Sequence, residues 1–366
     1  MSSNKKTRIG IIGANPERGW ASTAHIPALK SLPNYEITAL SSRVKEDEEK
    51  LKTTFGVQHI YDSVNGLVQS PEVDWVLVAV KVPQHYELIK QAVAAGKNVF
   101  SEWPLGRNLK EAEELIALAR ENNVKGYIGL QSRSVPAVRF IKDYIRQGTI
   151  GEVLSTSMIG SGVIYGGFTE KANDYTVNPE NGAGMLNVMF ANAVDALASV
   201  LGEFSELSAT TATRRKTTKI IETGEEIPIK IADQIAVTGT LQNGAVASVH
   251  FRGGHLSGTN FFWEINGTKG DIQIAATGGS LAVFEVTVKA STGKNNTMEI
   301  LEIPAEYNLV PNKELGLIPT NVGQNYQLIQ QGNAPTFDDA IIRHRMIEAI
   351  EEAARTGTKQ TYNLSI

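Results

Sequence analysis

The spacing of apolar residues changes once along this chain, and that change limits what it can fold into. Up to about Gly129, short apolar runs alternate with stretches of helical period; the runs are Arg8–Ile12, Glu36–Leu40, Trp75–Val80, Asn98–Ser101 and Tyr127–Leu130. They are rich in Val and Ile and apolar at successive positions, as strands covered on both faces are. Between them, Pro83–Ala95 sets Leu88, Ile89, Ala92 and Val93 on one helical face and stops at Gly96. Asn108–Asn122 opens on Asn108 as a cap. This alternation predicts an α/β domain over residues 1–130, a doubly wound parallel sheet of the Rossmann type.

After about Gly151 the strand-like segments follow one another directly: Val153–Ile159, Leu207–Ala212, Asp233–Leu241, Ala245–Phe251, Asn260–Ile265, Asp271–Ile274, Leu281–Val288 and Met298–Ile303. The dipeptides Asn243-Gly244 and Asn266-Gly267 sit where hairpin turns are needed. One helix, Met185–Leu201, interrupts the series and another, Phe337–Ala354, closes the chain, while Gly160–Asn181 reads as a long loop. The expectation is an α+β domain with a large open, mainly antiparallel sheet over residues 131–335, and a C-terminal helix and tail, 336–366, packing back on the body.

Composition narrows the function. With 35 basic and 39 acidic residues the net charge is −4, without the basic footprint of direct nucleic-acid binding, so small molecules or other proteins are the expected partners. The absence of cysteine excludes disulfides, Cys-ligated metals and thiol nucleophiles. Met1–Lys6 is polar and basic without a secretory apolar core, and no uninterrupted apolar run approaches the roughly 20 residues that span a bilayer. A cytoplasmic protein with no membrane partner is expected. His25, His59 and His344 are isolated and read as structural or solvated, and His250 and His255 lack a metal spacing, so no metal is expected.

The first strand runs into Gly13-Ala14-Asn15-Pro16-Glu17-Arg18-Gly19-Trp20-Ala21 and then a helix. A glycine turn at this junction brings backbone N–H groups to a pyrophosphate. Asn15 takes the second glycine position, where its tolerance of left-handed geometry suits it. The second strand ends in Leu40-Ser41-Ser42-Arg43, with no acid to accept ribose hydroxyls. Arg43 can pair with a 2′-phosphate and Ser41 or Ser42 can donate to it, so NADP is the expected cofactor, with NAD as the alternative.

The segments Gly13–Ala21, Val78–His85, Ala95–Pro104, Gly148–Val153, Gly267–Gly270 and Ala340–Gly357 resemble the glucose–fructose oxidoreductase / inositol dehydrogenase family of two-domain sugar dehydrogenases over nearly the whole chain. The long glycine turn is most similar to the branch holding the fungal galactose-regulon repressor, an NADP-binding regulator. The resemblance implies a cofactor set of Gly13, Asn15, Gly19, Trp20, Ser41, Ser42, Arg43, Val80, Pro83, His85, Glu102 and Trp103, and a carbohydrate-contacting set of Trp103, Arg133, Asn192 and Asp195. It also implies a homodimer or homotetramer.

Two departures matter. Where the family has Glu-Lys-Pro, with a lysine that handles the substrate proton, this sequence has Glu102-Trp103-Pro104, and tryptophan cannot ionise. Aligning Asp195 with the last acid of the second motif puts Asn192 at the family's histidine and Val188 at its first aspartate. Lys81, Asn192 and Tyr175 are then the candidate catalytic groups, with Tyr165, Lys171 and His255 further possibilities from the second domain. One reading is an NADP-dependent oxidoreductase acting on a hydroxyl or keto group of a sugar, polyol or glycoside. The other is an inert NADP-binding sensor that signals to a regulatory protein partner.

Overall fold

The computed structural model describes residues 5–42, 48–292, 297–312 and 314–366. Six strands, β1 (Thr7–Ile12), β2 (Tyr35–Ser41), β3 (His59–Tyr61), β4 (Trp75–Val78), β5 (Asn98–Glu102) and β6 (Gly126–Gly129), pair in parallel in the order β3-β2-β1-β4-β5-β6. This is the doubly wound sheet expected. The run expected over Trp75–Val80 ends as a strand at Val78, and β3, absent from the sequence reading, is an edge strand of three half-buried residues. Ile9, Ile11, Leu40, Leu77 and Phe100 are buried in one core with Leu29 and Leu51.

The linking helices are α1 (Ile26–Ser31), α2 (Glu48–Phe55), α3 (Val64–Gln69), α4 (His85–Ala94) and α5 (Leu109–Glu121). Their ends follow local chemistry. Asn108 Oδ1 accepts from Glu111 N at 3.0 Å to cap α5, and Gly96 follows α4 in the left-handed region at φ 71°. On either side of the β1/β4 pair the chain winds in opposite directions. A doubly wound sheet opens its ligand crevice there, beyond the carboxyl ends of the strands.

The second sheet is built from β7 (Val153–Gly162), β9 (Phe204–Ala212), β12 (Gln234–Leu241), β13 (Val246–Gly253), β14 (Phe261–Gly267), β15 (Asp271–Ala276), β16 (Val286–Ser291) and β17 (Glu299–Ile300). Its order is β17-β16-β15-β14-β7-β13-β12-β9, antiparallel except for the β7/β13 pair. Short β8 (Phe168–Thr169), β10 (Thr217–Ile220) and β11 (Glu226–Pro228) form a separate three-stranded sheet. The strands alternate: Ala247, Val249 and Phe251 face the interior while Val246 and Ser248 face out. Two helices, α6 (Pro136–Arg146) and α7 (Ala191–Leu201), belong to this unit. Phe190, in the turn leading into α7, meets Phe251 edge to face at 5.5 Å.

Three local expectations are corrected. Leu281–Val288 is not one strand: β16 starts at Val286, and Leu281 is apolar because it is buried in the preceding turn. Met298–Ile303 shrinks to Glu299–Ile300. Asn266-Gly267 ends β14 rather than forming the turn, which is closed by Gly267 N donating to Gly270 O at 2.9 Å. Asn243-Gly244 is a hairpin turn as expected, with Gly244 at φ 89° and Asn243 Oδ1 accepting from Ala245 N at 3.0 Å.

The chain divides into two compact units, residues 1–131 with 308–341 and residues 132–307 with 342–366. The helix α8 (Leu317–Gln330) belongs to the first unit, and α9 (Phe337–Thr356) begins in the first and continues in the second. The helical stretch Pro179–Leu201 is long and apolar enough to cross a membrane by composition, but 67% of its apolar window is buried within the protein, as in a core helix.

His344 lies on α9 at 2% exposure, and burial pushes its pKa down to about 3. The unfolded chain titrates near 6.5, so between these values it binds the extra proton and stability falls as pH drops, by about 1.4 kcal/mol per unit. Urea midpoints at pH 7 and pH 5 test this. The loss between them should shrink in His344→Leu, and an equal loss in both proteins would exclude His344 as its source.

Candidate cofactor site

At the carboxyl ends of β1, β2 and β4, a cavity of about 680 Å³ opens in the first unit, lined among others by Gly13–Pro16, Ser41, Ser42, Val80 and Pro83. Its floor depends on Gly13. This residue has φ 103°, and a Cβ there would lie 2.4 Å from Ala79 O and 2.7 Å from Val80 Cγ1. Only glycine lets the end of β1 lie this close to the end of β4. Gly19, at φ 99°, turns the chain back into the helix.

Asn15 acts differently from the expectation. Among the described residues the only non-glycine with positive φ is Asn123, so Asn15 does not use left-handed geometry. Its Oδ1 instead accepts from Glu17 N at 2.9 Å and Arg18 N at 3.1 Å, and its own N donates to Ser22 Oγ at 3.3 Å. The side chain therefore braces the long turn from within. Trp20 is partly buried against the core, its Nε1 enclosed without a partner.

Ser41 and Ser42 are on the cavity wall, and Ser42 N donates to Tyr61 O at 2.9 Å, tying the end of β2 to β3. Arg43 lies outside the described residues. The wall residues that sequence patterning does not single out include Leu51, Val64 and Asp62, the last brought there by β3. A dinucleotide fits this donor set. The glycine turn supplies close backbone approach, the β2 end supplies hydroxyls, and Leu51, Val64 and Leu88 supply apolar cover.

Beyond β4, Lys81 is exposed. His85 is fully enclosed, its Nδ1 2.7 Å from Pro104 O and its Nε2 3.0 Å from Val80 O. Burial lowers its pKa, with the two carbonyls pulling the other way. It clamps the end of β4 to the segment after β5. There Trp103, 6% exposed, precedes a cis Pro104.

Glu102 ends β5, and its Oε1 accepts from His25 Nε2 at 2.9 Å and Gln131 Nε2 at 2.7 Å. His25 is wholly buried, and its Nδ1 lies 2.8 Å from the Tyr326 hydroxyl on α8. In the sequence His25 stands isolated. Its partners lie 77 and 301 positions away, and only the folded topology joins them.

In the second unit, Asp195 is fully buried and holds Arg133, whose Nε donates to Oδ2 at 2.6 Å. Asn192 Oδ1 accepts from Ser132 N at 3.3 Å. Tyr175 is half-buried, and burial raises its pKa. Tyr165 is enclosed and donates to Ala183 O at 2.9 Å, Lys171 pairs with Asp174 at 2.8 Å, and His255 is exposed.

Residues 7–130 match the profile described as "Oxidoreductase family, NAD-binding Rossmann fold", and residues 136–276 the profile described as "Gal80p, C-terminal domain". The chain is 30% identical to dehydrogenase aclE of Aspergillus oryzae, over 98% of this chain and 99% of that one. The chain belongs to this NAD-binding oxidoreductase family. Another of its relatives is the galactose/lactose metabolism regulatory protein GAL80 of Saccharomyces cerevisiae, 27% identical over 98% of this chain and 94% of that one. A crystal structure of a super-repressor mutant of Gal80p from the same yeast superposes with a TM-score of 0.89 at 25% identity, covering 99% of each chain. A levoglucosan dehydrogenase solved with NADH and levoglucosan shares the fold, with a TM-score of 0.82 at 20% identity, covering 98% of this chain and 100% of that one. The oxidoreductase family thus holds both dehydrogenases and regulators.

Proposed function

We propose that the protein binds NADP(H) in the cavity at the ends of β1, β2 and β4 and interconverts a hydroxyl and a keto group on a sugar, polyol or glycoside. The cavity carries this reading: a glycine turn at the β1/β4 switch point, with serines rather than an acid at the end of β2. When bound, the dinucleotide supplies the hydride donor or acceptor. Gly13 and the braced turn bring backbone to its phosphates, Ser41, Ser42 and Arg43 favour the 2′-phosphate, and His85 holds the two strand ends in register. Following the redox state of the bound cofactor against a panel of sugars and glycosides tests the reading, and turnover of any one supports it.

Replacing Arg43 by alanine should weaken NADP binding by about 1–3 kcal/mol, the scale of a charge-assisted hydrogen bond, with NAD nearly unaffected. Equal losses in fluorescence titrations of both cofactors would remove the assignment.

A second reading, an inert NADP-dependent sensor, is favoured by one observation: Trp103 stands where the family's proton-handling lysine is expected. Bound cofactor whose redox state never changes with any sugar would select it.

The outward face of the eight-stranded sheet also supports self-association into a homodimer. Exposed Thr238, Ser248 and Ser157 stand side by side across three strands, with Ile159 37% exposed on the same face. Placing arginine at Ser157 should convert a dimer to a monomer in sedimentation analysis. A monomeric unmodified protein would rule the dimer out.

A further inference from the structure

We propose that Glu102 is the proton carrier of this site, an inference that rests on the dehydrogenase reading above. The carboxylate is fixed but not saturated. Oε1 takes both described donors, His25 Nε2 at 2.9 Å and Gln131 Nε2 at 2.7 Å, while no described residue donates to Oε2. The side chain keeps 15% exposure where its partner His25 has none. One oxygen is therefore held and the other is left to a ligand.

The sequence around Glu102 suits this arrangement. A Cβ at Gly129 would lie 2.5 Å from Oε1, so glycine there is what lets the carboxylate lie against β6 and reach Gln131. Tyr326 is buried, and burial together with the Glu102 charge holds its hydroxyl neutral. The Glu102 carboxylate oxygen can only accept, so the imidazole proton facing it sits on Nε2, and Nδ1 of the neutral ring accepts from the Tyr326 hydroxyl 2.8 Å away. Tyr326, His25 and Glu102 thus form a chain with a defined direction, ending at a carboxylate oxygen at the carboxyl edge of β5. That is the edge at which a doubly wound sheet presents side chains to ligands. His85, a titratable group that feels the Glu102 charge, is occupied by two backbone carbonyls. Trp103 cannot carry a proton.

The step balances. In oxidation, the substrate O–H bond breaks and its proton goes to Glu102 Oε2. The carbinol C–H bond gives up its electron pair with hydrogen to the oxidised dinucleotide, and a C=O bond forms. The substrate carbon is oxidised, the cofactor is reduced, and Glu102 then releases the proton to solvent.

The test compares the full-length protein with Glu102→Gln and Glu102→Asp. Isotope-edited infrared difference spectra of glutamate-labelled, cofactor-free protein, unmodified minus Glu102→Gln, should show one protonated-carboxyl component that grows as pH falls within the range where the fold survives. With any sugar that the unmodified protein turns over, Glu102→Gln should lose at least about a hundredfold in kcat measured at saturating NADP, the low end of general acid–base contributions. Glu102→Asp, which keeps a carboxyl but draws its oxygen back by one methylene, should fold and lose most of the turnover. This second variant keeps the test open if the glutamine variant fails to fold. Turnover that survives in a folded variant with an unchanged pH profile would overturn the assignment and leave the dehydrogenase reading intact. Cofactor binding without turnover in the unmodified protein would overturn both.

Discussion

Replacing Arg343 by methionine is expected to destabilise the second unit by about 3–5 kcal/mol, the cost of removing one partner from a buried ion pair. The guanidinium is fully buried on α9. Its Nε lies 3.6 Å from Asp195 Oδ1, it pairs with Glu203, and Nη1 donates to Met346 Sδ at 3.2 Å. Glu203 also accepts from the Tyr362 hydroxyl at 2.8 Å, so α7, α9, the start of β9 and the C-terminal tail share one set of charges. Methionine fills a similar volume but leaves two acidic groups without that cation. Urea unfolding at neutral pH should show a lower midpoint at unchanged slope. A loss under about 1 kcal/mol would mean that Arg133 and solvent satisfy the acids unaided. Arg343→Lys, which keeps the charge but not the planar fork, should lose less than methionine.

The second large effect is expected at Gly13. Alanine there meets two penalties, a left-handed φ of 103° that L-residues resist by about 1–3 kcal/mol and a Cβ 2.4 Å from Ala79 O. Relief requires the end of β1 to move away from β4, which reshapes the cavity. Gly13→Ala should therefore weaken NADP binding on the order of tenfold to a hundredfold, the affinity equivalent of about 1–3 kcal/mol of strain that only an opened cavity relieves. Fluorescence titration and a calorimetric scan would separate the two parts. Full affinity in a destabilised variant would show that the dinucleotide does not rest on this turn.

What the sequence revealed and what it hid follow from how each element is stabilised. The parallel strands declared themselves because both faces are buried, leaving unbroken Val and Ile runs. The helix α8 was missed although it is deeply buried, since the side chains it buries include Asn321, Gln324 and Asn325, at 3%, 0% and 0% exposure. Polar residues on an inward face erase the apolar period. Gln324 is satisfied there by bonds to Asn308 Oδ1 at 2.6 Å and Leu309 N at 3.0 Å, which no sequence pattern announces. The glycine turn was legible because φ and close approach demand glycine locally. The role of Asn15 was not, because an Asx brace and a left-handed residue draw on the same amino acid. The histidine at position 25 needed β5 and α8 before it had its two partners.

The discontinuity of the first unit has a consequence during synthesis. All six of its strands have been made by residue 129, but the helix that covers α1 and supplies Tyr326 spans residues 317–330. At translation rates of about 5–20 residues per second, the nascent sheet waits roughly 10–40 s for that helix. During this interval Ala28 and Leu29, which end at 0% and 1% exposure, lack part of their final cover. A ribosome-bound chain stopped near residue 131 should thus recruit a holdase chaperone, and one extended past the α9 segment should release it.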